Sequence, residues 1–333
     1  MIDIKLLEQL CLCNGISGDE GNVRNLIINE IKGCADDIKT DNLGNLIVFK
    51  KGKKSAKSKL MVSAHMDEVG LMVTDITSDG YLKFDEVGGI DRRVLPGKRV
   101  CVGRNGLNGV IGVKPIHLTN GDEKTAVPKM NDMYIDIGAE SREDALKYVN
   151  YGDSINFEGD FKINGKTVVT KALDDRFGCY VLINLIKSEP EYDMYFTFVV
   201  QEEVGLRGAR PAAFTVNPDF ALVIESTTAA DVAEVDASHQ LCNLSKGATV
   251  TVMDRATVYD KEMISAAFEL AEKNNIAVQY KRAVAGGNDS GAIHQSRGGV
   301  RTLAVSLPSR YIHAPSTAAN LDDCESVLKL AKV

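Results

Sequence analysis

The stretch Tyr195-Phe196-Thr197-Phe198-Val199-Val200-Gln201-Glu202-Glu203 decides the fold reading of this chain. Its first six residues make a nearly continuous apolar β run, and the run then drives straight into two adjacent carboxylates. A strand apolar on both faces belongs inside a largely parallel sheet covered by helices. Comparable runs stand at 60–64 (LMVSA), 220–224 (FALVI) and 302–307 (TLAVSL). Between them lie segments of helical period, with apolar residues at 177, 181, 182, 185 and 186 and again across 264–271. Alternating β and α signals read as an α/β fold with a mostly parallel sheet flanked by helices.

The N-terminal part adds an apolar stripe at 4, 7, 10 and 11, and a second at 23, 26, 27 and 31 whose start is expected at Ser17-Gly18-Asp19-Glu20. Residues 38–40 and 46–49 read as a hairpin around the turn at 41–45, followed by a lysine-rich exposed connection at 50–59. From 68 to 164 the texture changes to short alternating segments broken by Gly, Asn and Asp, which favours a small β barrel or sandwich. The expected organisation is one α/β domain from 1–67 and 165–333, interrupted by a β insert at 68–164. No internal repeat is visible.

Composition narrows the function classes. The chain has 333 residues, 44% of them hydrophobic, and a formal net charge of -7. An acidic balance without a basic patch interleaved with aromatics opposes nucleic-acid binding. No apolar run approaches the ~18 residues of a membrane span, and no signal-peptide core follows the charged N-terminus. Seven scattered cysteines read as buried free thiols in a reducing compartment, so the expected location is the cytoplasm.

Polar residues with chemical potential gather where the apolar runs stop, as sites do at the carboxyl ends of strands in α/β sheets. His65-Met66-Asp67-Glu68 follows the first run, Glu202-Glu203 the second and Glu225 the third, and His313 comes shortly after the fourth. Asp174-Asp175 follows the β-like Val168-Val169-Thr170 at a helix start. Two imidazoles with several carboxylates suit zinc, cobalt or manganese. A pair of such ions about 3.5–4 Å apart needs a bridging carboxylate, a role open to Asp174. Asp67, two residues from His65, is placed to accept from the imidazole's other nitrogen. Glu202 and Glu203 can work together only where the strand gives way to a loop, one as ligand and one as base. Gly286-Gly287-Asn288-Asp289 reads equally as a substrate-lining loop or a helix cap. His117, His239 and His294 lack such context and read as surface or packing residues.

With these residues in view the chain resembles the tetrahedral aminopeptidases, co-catalytic metallopeptidases that include glutamyl and leucyl aminopeptidases and some members labelled endoglucanases. The resemblance rests on H-M-D-E at 65–68, G-G-I-D-R-R-V-L-P-G-K-R-V at 88–100 and A-L-D-D-R at 172–176. It extends through Q-E-E-V-G-L-R-G-A at 201–209, G-G-N-D at 286–289 and R-Y-I-H-A-P at 310–315. It implies that Asp174 bridges two ions, zinc or cobalt, with His65 and Glu225 on one and Glu203 and His313 on the other. It further implies Glu202 as general base, Asp67 as the partner of His65, and a cis peptide after Asp174. The insert would be a PDZ-like dimerisation domain, and dimers would assemble into a homo-oligomeric dodecamer. Two positions depart from the pattern: Glu225 stands where the family usually has Asp, and Ala314-Pro315-Ser316-Thr317 stands where many members have Ser and then a nearby Glu.

The expected activity is removal of N-terminal residues from peptides with a free N-terminus, by a metal-activated water with Glu202 moving the proton. A deacylase or carboxypeptidase with the same ligands, a glycoside hydrolase and a non-catalytic assembly protein are the alternatives. A glycosidase pair needs carboxyls about 5–9.5 Å apart across a sugar, which adjacent glutamates do not offer.

Overall fold

The structure is a computed structural model that describes residues 1–333 apart from the side chain at position 123. Its centre is an 11-stranded sheet. Four strands, Met194–Val199, Leu60–His65, Phe220–Thr228 and Arg301–Arg310, lie side by side in that order and pair in parallel. Apart from two isolated bridges, Ile16 with Glu68 and Lys54 with Tyr192, parallel pairing among the described residues is otherwise that of Ala248–Val250 with Val278–Tyr280. The flanks are antiparallel: Leu46–Lys50 and Asp37–Thr40 extend one side, and Thr317–Asn320, Thr167–Thr170 and Lys162–Asn164 the other.

The apolar runs are buried on both faces because their alternate residues enter different cores. Val62, Ala64, Phe196, Phe198 and Ile224 face the helices Ile4–Leu12, Gly21–Ile31, Leu173–Ile186, Lys261–Lys273 and Leu321–Lys332. Met61, Ala221 and Val223 face Ala209–Val216 and Ser290–Ile293 on the opposite side. Burying each such large side chain contributes ~1.5–3 kcal/mol, which fixes the register and therefore the height at which each strand ends.

The insert is a closed barrel of Gly70–Ile76, Leu82–Val87, Met133–Asp136, Leu107–Val113, Arg99–Val102 and Ser154–Phe157, every pairing antiparallel and with its own core. Lys162–Asn164, which the sequence reading gave to the insert, instead forms a hairpin with Thr167–Thr170 in the main sheet. Gly165, at φ +62°, supplies the left-handed residue that this tight turn requires.

Two boundaries also differ from expectation. The second helix begins at Gly21 with Glu20 as its cap, because the Ser17 hydroxyl donates to Asp67 Oδ2 (2.6 Å) and is not used as a cap. The strand from Phe220 runs past Glu225 to Thr228, since 225–228 keep pairing with 306–309.

Candidate metal centre

The parallel strands, the loops beyond them and the first turn of Leu173–Ile186 bring all five expected ligands to one place. His65 is the last residue of its strand, and Glu225 lies within the neighbouring strand. Glu203 sits just past the end of Met194–Val199, where Gln201 takes a left-handed φ of +56° and breaks the strand. That break lets the adjacent Glu202 and Glu203 face the same volume. Asp174 occupies the first turn of Leu173–Ile186 with a non-helical backbone, and the Asp174–Asp175 peptide is cis. His313 follows Arg301–Arg310 on a loop, at φ +59°.

Asp174 divides its two oxygens. Oδ1 lies 3.4 Å from His65 Nε2, and Oδ2 lies 3.4 Å from His313 Nε2. Glu225 Oε1 is 3.2 Å from His65 Nε2, and Glu203 Oε2 is 3.2 Å from His313 Nε2. Each set, His65–Asp174–Glu225 and Asp174–Glu203–His313, brings its ligand atoms within 4.8 Å of one another. His65 and Glu202 also converge with Glu203 in a third group of that kind.

The surroundings fit cations. His65 Nδ1 lies 3.0 Å from the Asp67 carbonyl. A carbonyl only accepts, so Nδ1 donates there, which leaves Nε2 as the ring nitrogen that faces the carboxylates and would ligate an ion. Asp174 Oδ1 and Glu225 Oε2 are buried without a hydrogen-bond partner, an arrangement that costs ~1–3 kcal/mol or more per group when nothing compensates. Burial, reinforced by Asp174, pushes Glu203 up to about 8. Burial, against the pull of His65, pushes Glu225 up to about 7. Burial opposes the charge on His313, yet Asp174 and Glu203 raise it to about 9. Such a crowd of acids shares protons when no ion is bound, and divalent ions would replace those protons.

Asp67 is placed differently from the expectation that its carboxylate would take the imidazole proton. Its carbonyl does so, and the carboxylate Oδ1 stands 3.6 Å from His65 Nδ1. The fully buried carboxylate instead accepts from the backbone N–H groups of Glu202 (3.0 Å) and Glu203 (3.1 Å) as well as from Ser17. It therefore orients both glutamates through their backbone.

Residues 44–330 match the M42 glutamyl aminopeptidase family. The chain belongs to that family.

Its relatives include the glutamyl aminopeptidase of Lactococcus lactis subsp. cremoris, 32% identical over 92% of this chain and 88% of that protein. The lysyl aminopeptidase of Pyrococcus furiosus is 33% identical over 100% of this chain and 96% of that protein. Among solved structures, the Pyrococcus horikoshii TET1 peptidase, described as assembling into a tetrahedron or a large octahedral shell, superposes with a TM-score of 0.88. The two are 40% identical, with 99% of this chain and 98% of that one covered. As an M42 member the chain is an aminopeptidase, a metal-dependent hydrolase acting at peptide N-termini.

Several residues to which sequence reasoning gave no role form a buried foundation. Glu68 Oε1 meets Lys171 Nζ at 2.8 Å and Arg176 at 3.4 Å. Arg176, fully buried, also donates to the carbonyls of Leu10, Cys13, Gly15 and Met66, tying the N-terminal segment beneath His65. The barrel contributes Gly88 and Gly89, which lie against Glu203 and His313: a Cβ at Gly88 would come 3.2 Å from that of Glu203.

A cavity of about 200 Å³ opens beside the ligands, and Gly286, Gly287 and Asn288 form part of its wall. Asn288 Oδ1 also accepts from the Ser290 N–H at 2.9 Å, while Asp289 is the residue that precedes the short helix Ser290–Ile293 and makes no side-chain cap bond. Asp289 is fully buried behind the loop and is not part of that wall. His117 and His239 are exposed, and His294 turns Nδ1 to the Ser290 carbonyl.

Proposed function

We propose that this aminopeptidase works with two divalent ions, one between His65 and Glu225 and one between Glu203 and His313, with Asp174 shared. The observation that carries this reading is the split Asp174 carboxylate, one oxygen toward each histidine. Zinc and cobalt suit the donor set, and manganese is accepted by the same types. Bound there, the ions would acidify water and polarise the scissile carbonyl.

The chain's own residues do the rest. Glu202 takes the proton of the attacking water and hands it to the leaving amine. With no ion bound, burial, with Glu225, Asp289 and Glu203 adding to it against the pull of His65, holds the Glu202 carboxyl well above its ordinary range. Asp67 holds Glu202 and Glu203 by their backbone, and the acidic surroundings attract the free α-amine of the substrate. Glu225 performs the metal-holding role that Asp usually has, reaching His65 from within a strand.

We place the chain in the cytoplasm. Its seven cysteines are all free, and among the described residues no helix is long and apolar enough to cross a membrane. We infer a homo-oligomer, a dodecamer built from dimers with the barrel as the dimerising element; a solved relative described as a dodecamer and one described as a tetrahedron or octahedral shell support assembly of this kind.

The deciding experiment compares peptides with free and acetylated N-termini before and after chelation and reloading with zinc or cobalt. Metal-dependent cleavage of the free peptides alone is expected. Cleavage of blocked peptides would favour a deacylase or carboxypeptidase. Glu202→Gln is expected to keep its metal while turnover falls ~10²–10⁴-fold, the range of general base catalysis.

A further inference from the structure

Relatives split between glutamyl and lysyl activities, so family membership leaves open which N-terminal side chain this chain prefers. The cavity beside the ligands bears on that choice. Apart from the ligands and Glu202, only two charged side chains reach its wall, Asp254 and Lys281.

Asp254 is already spent. Its Oδ1 accepts from the N–H groups of Ala256 (2.8 Å) and Thr257 (2.7 Å), and Oδ2 accepts from the Tyr259 hydroxyl (2.6 Å). Lys281 is the opposite case. Its Nζ donates to the Ala285 carbonyl at 2.8 Å, and among the described residues no carboxylate lies within ion-pairing distance of it. An ammonium carries three N–H donors, so two remain for whatever fills the cavity. Burial lowers the Lys281 pKa from its ordinary value, with Asp254, Cys242, Glu225 and Asp174 acting the other way. Of the other acids on the wall, Asp174 and Glu225 are committed to the ions and Glu202 to the attacking water. What remains is one partly buried positive charge facing a space of about 200 Å³, room for a single side chain and a few waters at ~30 Å³ each.

Building on the aminopeptidase reading, we propose that Lys281 selects an acidic N-terminal residue, the side-chain carboxylate of glutamate or aspartate taking the free N–H donors of its ammonium. A leucine there would leave those donors without a partner. A lysine would bring a second ammonium beside the first, with the Asp254 oxygens already occupied.

The test uses the full chain loaded with metal and the p-nitroanilides of Glu, Asp, Leu and Lys. Wild type is expected to show its highest kcat/KM on the two acidic substrates. Lys281→Met is expected to lower the Glu-to-Leu ratio of kcat/KM by about 10- to 100-fold, the range that hydrogen bonds to charged groups support. Lys281→Glu should move the preference toward Lys. A partly unfolded variant loses rate on all four alike and leaves the ratios in place, so the ratio isolates recognition. A wild-type preference for Leu or Lys, or an unchanged ratio in Lys281→Met, overturns the assignment and leaves the aminopeptidase standing. Cleavage of none of the four by metal-loaded protein overturns the underlying reading, and the assignment with it.

Discussion

His65 and His313 bracket the same carboxylate, but the molecule holds them by different means. His65 ends a central parallel strand, its side chain is 1% exposed, and its Nδ1 proton is fixed by the Asp67 carbonyl. Arg176 braces the Met66 carbonyl next to it. His313 lies on a loop in a left-handed conformation with its side chain 40% exposed, and among the described residues its Nδ1 has no hydrogen-bond partner. The sequence at 314–317 offers no carboxylate for it. What lies against His313 is Gly89 of the barrel, which brings contact but no side-chain acceptor. The contrast teaches that similar ligand types do not make equal half-sites. Affinity depends on how much ordering each ligand has undergone before the ion arrives, and outer partners alone are worth ~10–100-fold.

The comparison can be broken at its shared member first. Asp174→Ala removes the oxygen common to both halves. It should strip both ions and lower turnover by more than ~100-fold, beyond an outer-partner effect, as read by metal analysis alongside kinetics. Next come the two histidines. In stepwise chelation the ion at Glu203 and His313 should leave first, and His313→Ala should keep metal at the other half-site. His65→Ala should empty its own half-site and weaken the second. Equal retention in the two variants, measured by calorimetric titration, would erase the distinction. Asp67→Asn keeps the carbonyl that fixes His65 but weakens the hold on Glu202 and Glu203. A loss of ~10–100-fold in kcat is expected, with the His65 ion retained.

The smallest effect concerns pH in the metal-free protein. Glu203 at about 8, Glu225 at about 7 and His313 at about 9 all bind protons more tightly folded than unfolded. The folded state then holds more protons than the unfolded state, so stability falls as pH rises. The carboxylate contribution is full below their ordinary value near 4.5 and is lost as pH climbs through about 7 and 8. The imidazole contribution is full below 6.5 and is lost through about 9. The melting temperature of chelated protein should therefore drop between pH 5 and 9 more steeply than that of loaded protein, as scanning calorimetry would show.

Much of this was readable because apolar runs that stop at acids are locally costly, and cost leaves a mark in sequence. The strands through Ala64, Val199 and Ile224 and the cluster of five candidate ligands were visible for that reason. The antiparallel flanks were not, since short strands such as Thr317–Asn320 have no run long enough to mark them. Ser17 looked like a helix cap because its type suits one, yet its hydroxyl serves Asp67, fifty positions away in sequence. Lys281 was passed over, and Arg176 was quoted in a motif without a role, because a single basic residue carries no periodic signal. Their meaning comes only from the carbonyls and the cavity that distant segments bring to them.

The ligands are spread from position 65 to position 313, and the loop bearing the last of them lies against a turn of the barrel. As the polypeptide emerges in order, one half-site stays incomplete until His313 has been made and docked. On the proposed ligand set, hydrolytic competence therefore arrives late in biogenesis. A peptidase wired in this way is inert toward its neighbours, and toward itself, for most of its own synthesis.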